Sequence, residues 1–146
     1  MKNEEVLNDL ILINNDRTEG YSKAAKQTED NDLQSLFTEM SSQSAEYATE
    51  LKQHLKLDEE DPGKDTTFKG KIYRSWMDVK ATFGGDDRKG ILSSCEFGED
   101  AAQKAYKSAL GEDEITSEVR GLIENQQRLL KDAHDKVKMM RDATPA

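Results

Sequence analysis

The stretch LILINNDRTEGYSKAAKQTEDNDLQSLF, residues 10–37, joins two amphipathic helical patterns through a very short polar connector. Apolar residues recur every three or four positions before the connector, and the same period resumes after it. The connector, residues 29–32, reads EDND and is rich in residue types that favour helix N-termini. Because so short a connector reverses the chain, we expect the second helix to pack antiparallel to the first.

The same period extends outward from this stretch over two helical segments, about residues 3–28 and 31–56. Two more segments follow: one begins after Gly84-Gly85 and ends near Leu110, where Gly111 is the expected C-cap, and one runs from the N-cap Thr116 to about Arg141. The sequence therefore predicts four amphipathic helices of about 25 residues each. The apolar faces that it predicts consist of Val6, Leu7, Leu10, Ile11, Ile13, Tyr21, Ala24 and Ala25 in the first helix, of Leu33, Leu36, Phe37, Met40, Tyr47, Ala48, Leu51 and Leu55 in the second, and of Val119, Leu122, Ile123, Leu129, Leu130, Val137 and Met140 in the fourth.

The segment between the second and third helices, about residues 57–85, is too long for a turn. Residues 66–83 carry a fifth helical stripe and would span about 27 Å as a helix; together with its flanking residues, this piece could run the length of a 25-residue helix and return the chain to the end of the bundle at which it started. We therefore expect one all-α domain over residues 1–146, a ferritin-like four-helix bundle with a long helical crossover between helices 2 and 3. The stripe is expected to pack on the bundle, the alternative being a face for self-association or a partner; it consists of Phe68, Ile72, Trp76, Val79 and Phe83.

The composition excludes several classes of protein. With 34% hydrophobic and 35% charged residues, and no run of about 20 apolar residues, the chain does not read as a membrane protein. Its single cysteine, Cys95, excludes a disulfide scaffold and is expected to be buried. The net charge of -9 opposes binding to nucleic acid or to an anionic membrane. The N-terminus has no signal-peptide pattern, so we expect a cytoplasmic protein.

Short motifs on three of the predicted helices resemble those of an uncharacterised bacterial family of ferritin-like four-helix-bundle proteins, classed as a domain of unknown function. The resemblance covers nearly the whole chain. It implies the fold and a bacterial cytosolic setting, and it implies no established activity. The residues that carry it are Asn15-Asp16, Glu19-Gly20-Tyr21, Cys95-Glu96, Gly98-Glu99-Asp100, Tyr106, Gln127 and His134.

The ligand motif of a di-metal bundle is incomplete in this chain. Carboxylate-bridged di-metal bundles take one Glu from each of two helices and a Glu-x-x-His from each of the other two. No Glu-x-x-His occurs here, and the nearest pieces are Glu39-x-x-Ser42 and Lys131-x-x-His134. A metal-binding or oxidase-type protein nevertheless stays open as an alternative, with iron, manganese or zinc as its ion. Its candidate ligands are Glu39, Glu96, Glu99 and His134.

A helical-wheel projection instead predicts a polar layer in the middle of the bundle. Arg17, Gln43, Glu99 and Gln126 all project inward or beside the apolar stripe, about 18–22 Å from one end. We expect Arg17 and Glu99 to form a partly buried ion pair, whose hydrogen bonds Asn14 and the two glutamines complete. The alternative is that Arg17 extends along the core to solvent and Glu99 lies at its rim. A guanidinium cannot ligate a metal and repels a dication.

No set of residues in this sequence forms a convincing catalytic constellation. His134 lies at the margin of the fourth apolar stripe and is expected to hydrogen-bond a carboxylate, Glu96 above all. The predicted function is therefore a non-enzymatic structural or protein-interaction module that keeps the fold without the di-metal centre and without a cofactor. We expect a homodimer or a protein partner, and analogy with ferritin-like proteins suggests a stress-associated role.

Overall fold

The computed structural model describes residues 2–56 and 88–144, which form four α-helices and, within those ranges, no strand. The helices are α1 (Lys2–Gln27), α2 (Asn31–Lys56), α3 (Arg88–Leu110) and α4 (Ser117–Asp142). These bounds agree with the predicted segments, so the all-α four-helix fold is confirmed. The predicted crossover and its apolar stripe at Phe68, Ile72, Trp76, Val79 and Phe83 lie outside the described residues.

Hydrogen bonds near the helix ends define the direction of each helix. At the α1–α2 turn, the Arg88 guanidinium donates to Asp30 at 3.0 Å and to Asp32 at 2.9 Å, so α3 begins where α2 begins. At the opposite end, the Thr116 backbone N–H donates to the Asn3 side chain at 3.1 Å. Helices α2 and α3 therefore run parallel. Since α2 ends at the far end of the bundle, the chain between these two helices joins opposite ends, as the sequence predicts.

The four helices enclose one elongated core. Helix α1 packs mainly on α2 and also on α3, whereas α4 packs mainly on α3 and more weakly on α2. Most residues of the predicted apolar faces, together with Cys95, are buried in this core. Leu129 is an exception because it is 40% exposed: the inward position on this turn of α4 belongs to Leu130.

The α3–α4 turn shows how the sequence ends one helix and begins the next. The hydroxyl of Thr116 accepts a hydrogen bond from the Val119 backbone N–H at 3.3 Å, which confirms Thr116 as the N-cap of α4. Gly111 follows the last residue of α3 without adopting a left-handed backbone conformation. Instead, the Arg120 guanidinium donates to the carbonyl oxygens of Leu110 at 2.7 Å and Glu112 at 2.6 Å. These carbonyl oxygens, at and just after the end of α3, therefore have hydrogen-bond partners.

Among the described residues, no helix combines the length and the apolar character that a membrane span requires.

Candidate functional site

An arginine and a glutamate form a bidentate ion pair in the centre of the bundle. Arg17 on α1 donates from Nε to Oε1 of Glu99 on α3 at 3.0 Å, and from Nη2 to Oε2 at 2.6 Å. Both residues are 0% exposed. The guanidinium fork matches the geometry of a carboxylate, so the two charges compensate each other directly. The predicted alternative, in which Arg17 reaches solvent, does not describe this structure.

Residues of α1 and α2 form the other hydrogen bonds of Arg17 and Glu99. Nη1 of Arg17 donates to the Ser44 hydroxyl at 2.6 Å and to the Met40 carbonyl at 3.3 Å. The Tyr21 hydroxyl donates to Oε2 of Glu99 at 2.5 Å, and the ring of Tyr21 lies 4.9 Å from the guanidinium carbon. We name Arg17, Tyr21, Ser44 and Glu99 the ion-pair layer. Because it connects three helices, it fixes their positions relative to one another.

Arg17 and Tyr21 are the two residues that α1 contributes to the ion-pair layer, and their surroundings hold each of them in one protonation state. Burial opposes the charge of Arg17, but the attraction of Glu99 outweighs it and raises the pKa of the guanidinium further. Burial, reinforced by the charge of Glu99, raises the pKa of the Tyr21 phenol well above its ordinary value. Arg17 therefore stays charged and Tyr21 stays a hydrogen-bond donor over the whole physiological pH range.

A second polar layer, the tyrosine layer, lies next to the first and consists of Asn14, Tyr106 and Gln126. The Asn14 amide donates to the Tyr106 hydroxyl at 2.7 Å, and this hydroxyl donates to Oε1 of Gln126 at 2.6 Å. The Gln126 amide then donates to Glu50 at 2.9 Å and to the Tyr47 carbonyl at 3.3 Å. Burial raises the pKa of Tyr106, so its hydroxyl keeps the proton that it donates to Gln126. Because Gln126 also binds Glu50 and Tyr47 of α2, the layer connects all four helices.

The predicted polar residues therefore lie in two layers rather than one. Asn14 and Gln126 form hydrogen bonds with Tyr106, and among the described residues neither is a hydrogen-bond partner of Arg17 or Glu99. Gln43 is only half-buried, and its neighbour Ser44 is the α2 side chain that binds Arg17. Gln43 and Ser44 are adjacent and both lie beside the same apolar stripe, so the helical period alone does not distinguish them. The predicted apolar face of the first helix also included Tyr21, although a buried tyrosine usually needs a partner for its hydroxyl.

The residues in the centre of the bundle do not fit a carboxylate-bridged metal pair. Such a centre needs a carboxylate from each of the four helices and a histidine from two of them. The ion-pair layer supplies one carboxylate, Glu99, which is already paired with Arg17, together with a tyrosine and a serine. Glu39 is exposed on α2. Glu96 and His134 lie 3.6 Å from each other, whereas Glu99 is paired with Arg17, so the four candidate ligands do not form one group.

His134 and Glu96 instead meet Asp100 at the solvent-facing edge between α3 and α4. Nε2 of His134 lies 2.7 Å from Oδ1 of Asp100 and 3.6 Å from Oε2 of Glu96. Asp100 was not among the predicted ligands. Burial opposes the imidazolium, but hydrogen bonds to Asp135 and Asp100 outweigh it and raise the pKa of His134 above its ordinary value. A signal for Asp100 was present in the sequence, since it lies four residues after Glu96 and hence on the same face of α3.

Comparison with known proteins gives a family without an assigned activity. A family model described as Domain of unknown function (DUF2383) matches residues 2–112, which include α1, α2 and α3. No curated protein matches the chain. The match covers well over half of the sequence and includes both members of the central ion pair. The chain therefore belongs to the DUF2383 family of domains of unknown function.

Proposed function

We propose that this protein is a non-enzymatic, ferritin-like bundle whose interior has a structural role, and that it acts as a structural or protein-interaction module in the bacterial cytoplasm. The observation that carries this proposal is the position of Arg17. Its guanidinium is fully buried in the middle of the bundle, where ferritin-like enzymes hold their metal ions, and it forms a two-point pair with Glu99.

The energetics of burial support a structural role for this pair. A buried charge without a partner is strongly destabilising, whereas a buried pair with complete hydrogen bonds holds its elements in one arrangement. Here the guanidinium uses Nε, Nη1 and Nη2 as donors, to Glu99, Ser44 and the Met40 carbonyl. A metal ion at this position would have to displace Arg17 into solvent and would leave these acceptors without their donor.

The partner in this proposal is a protein, either a second copy of the chain or another molecule. The net charge of -9 disfavours the phosphates of nucleic acids and anionic lipids. A stress-associated setting rests on analogy with ferritin-like proteins alone.

Aerobic oxidation of Fe²⁺ tests the proposed lack of oxidase activity. We expect the purified protein to oxidise Fe²⁺ no faster than buffer, because Glu99, the one carboxylate of the ion-pair layer, is already paired with Arg17. The measurement is the near-ultraviolet absorbance of ferric product. A rate above that of buffer, lost on Glu99→Gln but kept on His134→Ala, would establish a metal centre in the interior and contradict the proposal.

A further inference from the structure

The side chains of Glu96, Asp100 and His134 form a compact group that belongs neither to the ion-pair layer nor to the tyrosine layer. Glu96 and Asp100 are one helical turn apart on α3, and His134 faces them from α4. One ligand atom from each residue lies within 4.8 Å of the other two. The side chains of Glu96 and His134 are 14% and 16% exposed, whereas that of Asp100 is 54% exposed. The group is therefore open to solvent on the Asp100 side.

The spacing of these atoms is close to that of ligands around one metal ion. Ligand atoms at about 2.1 Å from an ion, with angles between about 90° and 110°, lie about 3.0–3.4 Å apart. From Nε2 of His134, the distances are 2.7 Å to Asp100 and 3.6 Å to Glu96, just below and just above this range. Small side-chain adjustments would bring all three atoms to one ion.

Residues outside the group hold two of the three ligands, His134 and Glu96, in a suitable orientation. The other ring nitrogen of His134, Nδ1, lies 3.1 Å from the Asp135 carboxylate, which favours a proton on Nδ1 and directs Nε2 towards the group. Such carboxylate–histidine pairs are the usual support of metal-bound imidazoles. Arg141 donates to Oε1 of Glu96 and leaves Oε2, the oxygen nearer His134, facing the imidazole. Unlike the buried Arg17, the Arg141 side chain is 25% exposed, so solvent and salt screen its repulsion of a dication. Among the described residues, Asp100 forms an ion pair only with His134.

We propose that Glu96, Asp100 and His134 bind one divalent transition-metal ion of the zinc class between α3 and α4. One imidazole with two carboxylates suits such an ion better than Mg²⁺ or Ca²⁺, which prefer sites made of oxygen atoms alone. The ion would link two helices at the edge of the bundle. Three protein ligands leave further coordination positions for water or a ligand on the exposed side. This site is separate from the interior, where Arg17 and Glu99 carry the proposed function.

Titration of the full-length protein with Zn²⁺ in a calorimeter tests this site. We expect one equivalent of Zn²⁺ to bind and an excess of Mg²⁺ not to displace it. His134→Ala should weaken binding at least tenfold. Asp135→Asn, which removes no ligand, should weaken it by about tenfold, because it releases the imidazole from its support.

The second histidine of the chain provides the matched control. The sequence has only two histidines, and His54→Ala should leave Zn²⁺ binding unchanged. Thermal unfolding of each variant without metal separates loss of the site from loss of the fold, and bound Zn²⁺ should raise the unfolding temperature of the wild type but not that of His134→Ala. Absence of one-equivalent binding, equal binding by wild type and His134→Ala, or loss of binding on His54→Ala alone would overturn the proposal. None of these outcomes bears on the interior ion pair.

Discussion

Arg17→Met is expected to lower the free energy of unfolding by about 3–5 kcal/mol, because it leaves the Glu99 carboxylate buried without its counter-charge. Methionine has a similar length and is apolar, so the loss reports mainly on charge and hydrogen bonding. Urea denaturation followed by far-ultraviolet circular dichroism measures the effect. Glu99 is fully buried in the bundle centre, so water cannot replace the missing guanidinium without a rearrangement of the core.

Two further variants make this prediction specific. Arg128→Met removes an exposed arginine of α4 that donates to Asn125, and we expect it to change the free energy of unfolding by no more than about 0.5 kcal/mol. The double variant Arg17→Met/Glu99→Met removes both charges, and most of the stability should return. Equal, small effects of Arg17→Met and Arg128→Met would mean that Arg17 is solvated, and a double variant less stable than Arg17→Met would mean that charge pairing is not the cause.

Tyr106→Phe is expected to lower the free energy of unfolding by about 2–3 kcal/mol. The hydroxyl of Tyr106 accepts from Asn14 and donates to Gln126, and both of these residues are buried. Its removal leaves Oε1 of Gln126 without a partner, and the Asn14 amide loses one of its two hydrogen bonds while it keeps the one to the Leu10 carbonyl at 2.8 Å. A buried group left without a partner costs about 1–3 kcal/mol. The same urea denaturation measures the change.

Tyr47→Phe is the matched control for Tyr106→Phe. Within residues 2–56 and 88–144, the Tyr47 hydroxyl has no hydrogen-bond partner, and its backbone carbonyl, which Gln126 binds, is unaffected by the substitution. We expect a change of no more than about 0.5 kcal/mol. If the two variants lose the same stability, the tyrosine layer does not hold the helices together in the way described.

The helices and their order follow from short-range rules, and so the sequence predicted them well. The apolar period marks the buried face of each helix, Thr116 marks the start of α4, and the brief connector between α1 and α2 forces an antiparallel pair. These signals act over a few residues. They need no knowledge of what lies across the bundle.

The polar interior was predictable only in part, because it depends on the rotation of each helix. A wheel of about 100° per residue places Arg17 and Glu99 on facing stripes, but it does not separate Gln43 from Ser44, which are adjacent on the same helix. The roles of Tyr21 and Tyr106 depend on which atoms lie across the core from their hydroxyls. The sequence did not predict Asp100 as a neighbour of His134 for the same reason, since the two residues face each other across the contact between α3 and α4.

Anomalous X-ray scattering from crystals grown with Mn²⁺ tests most directly whether an ion pair replaces a metal centre in this bundle. The expected result is that no ion lies between the four helices beside Glu99, and that the Arg17 guanidinium remains within hydrogen-bond distance of both carboxylate oxygens. Two anomalous peaks beside Glu99, with Arg17 turned out to solvent, would contradict the account.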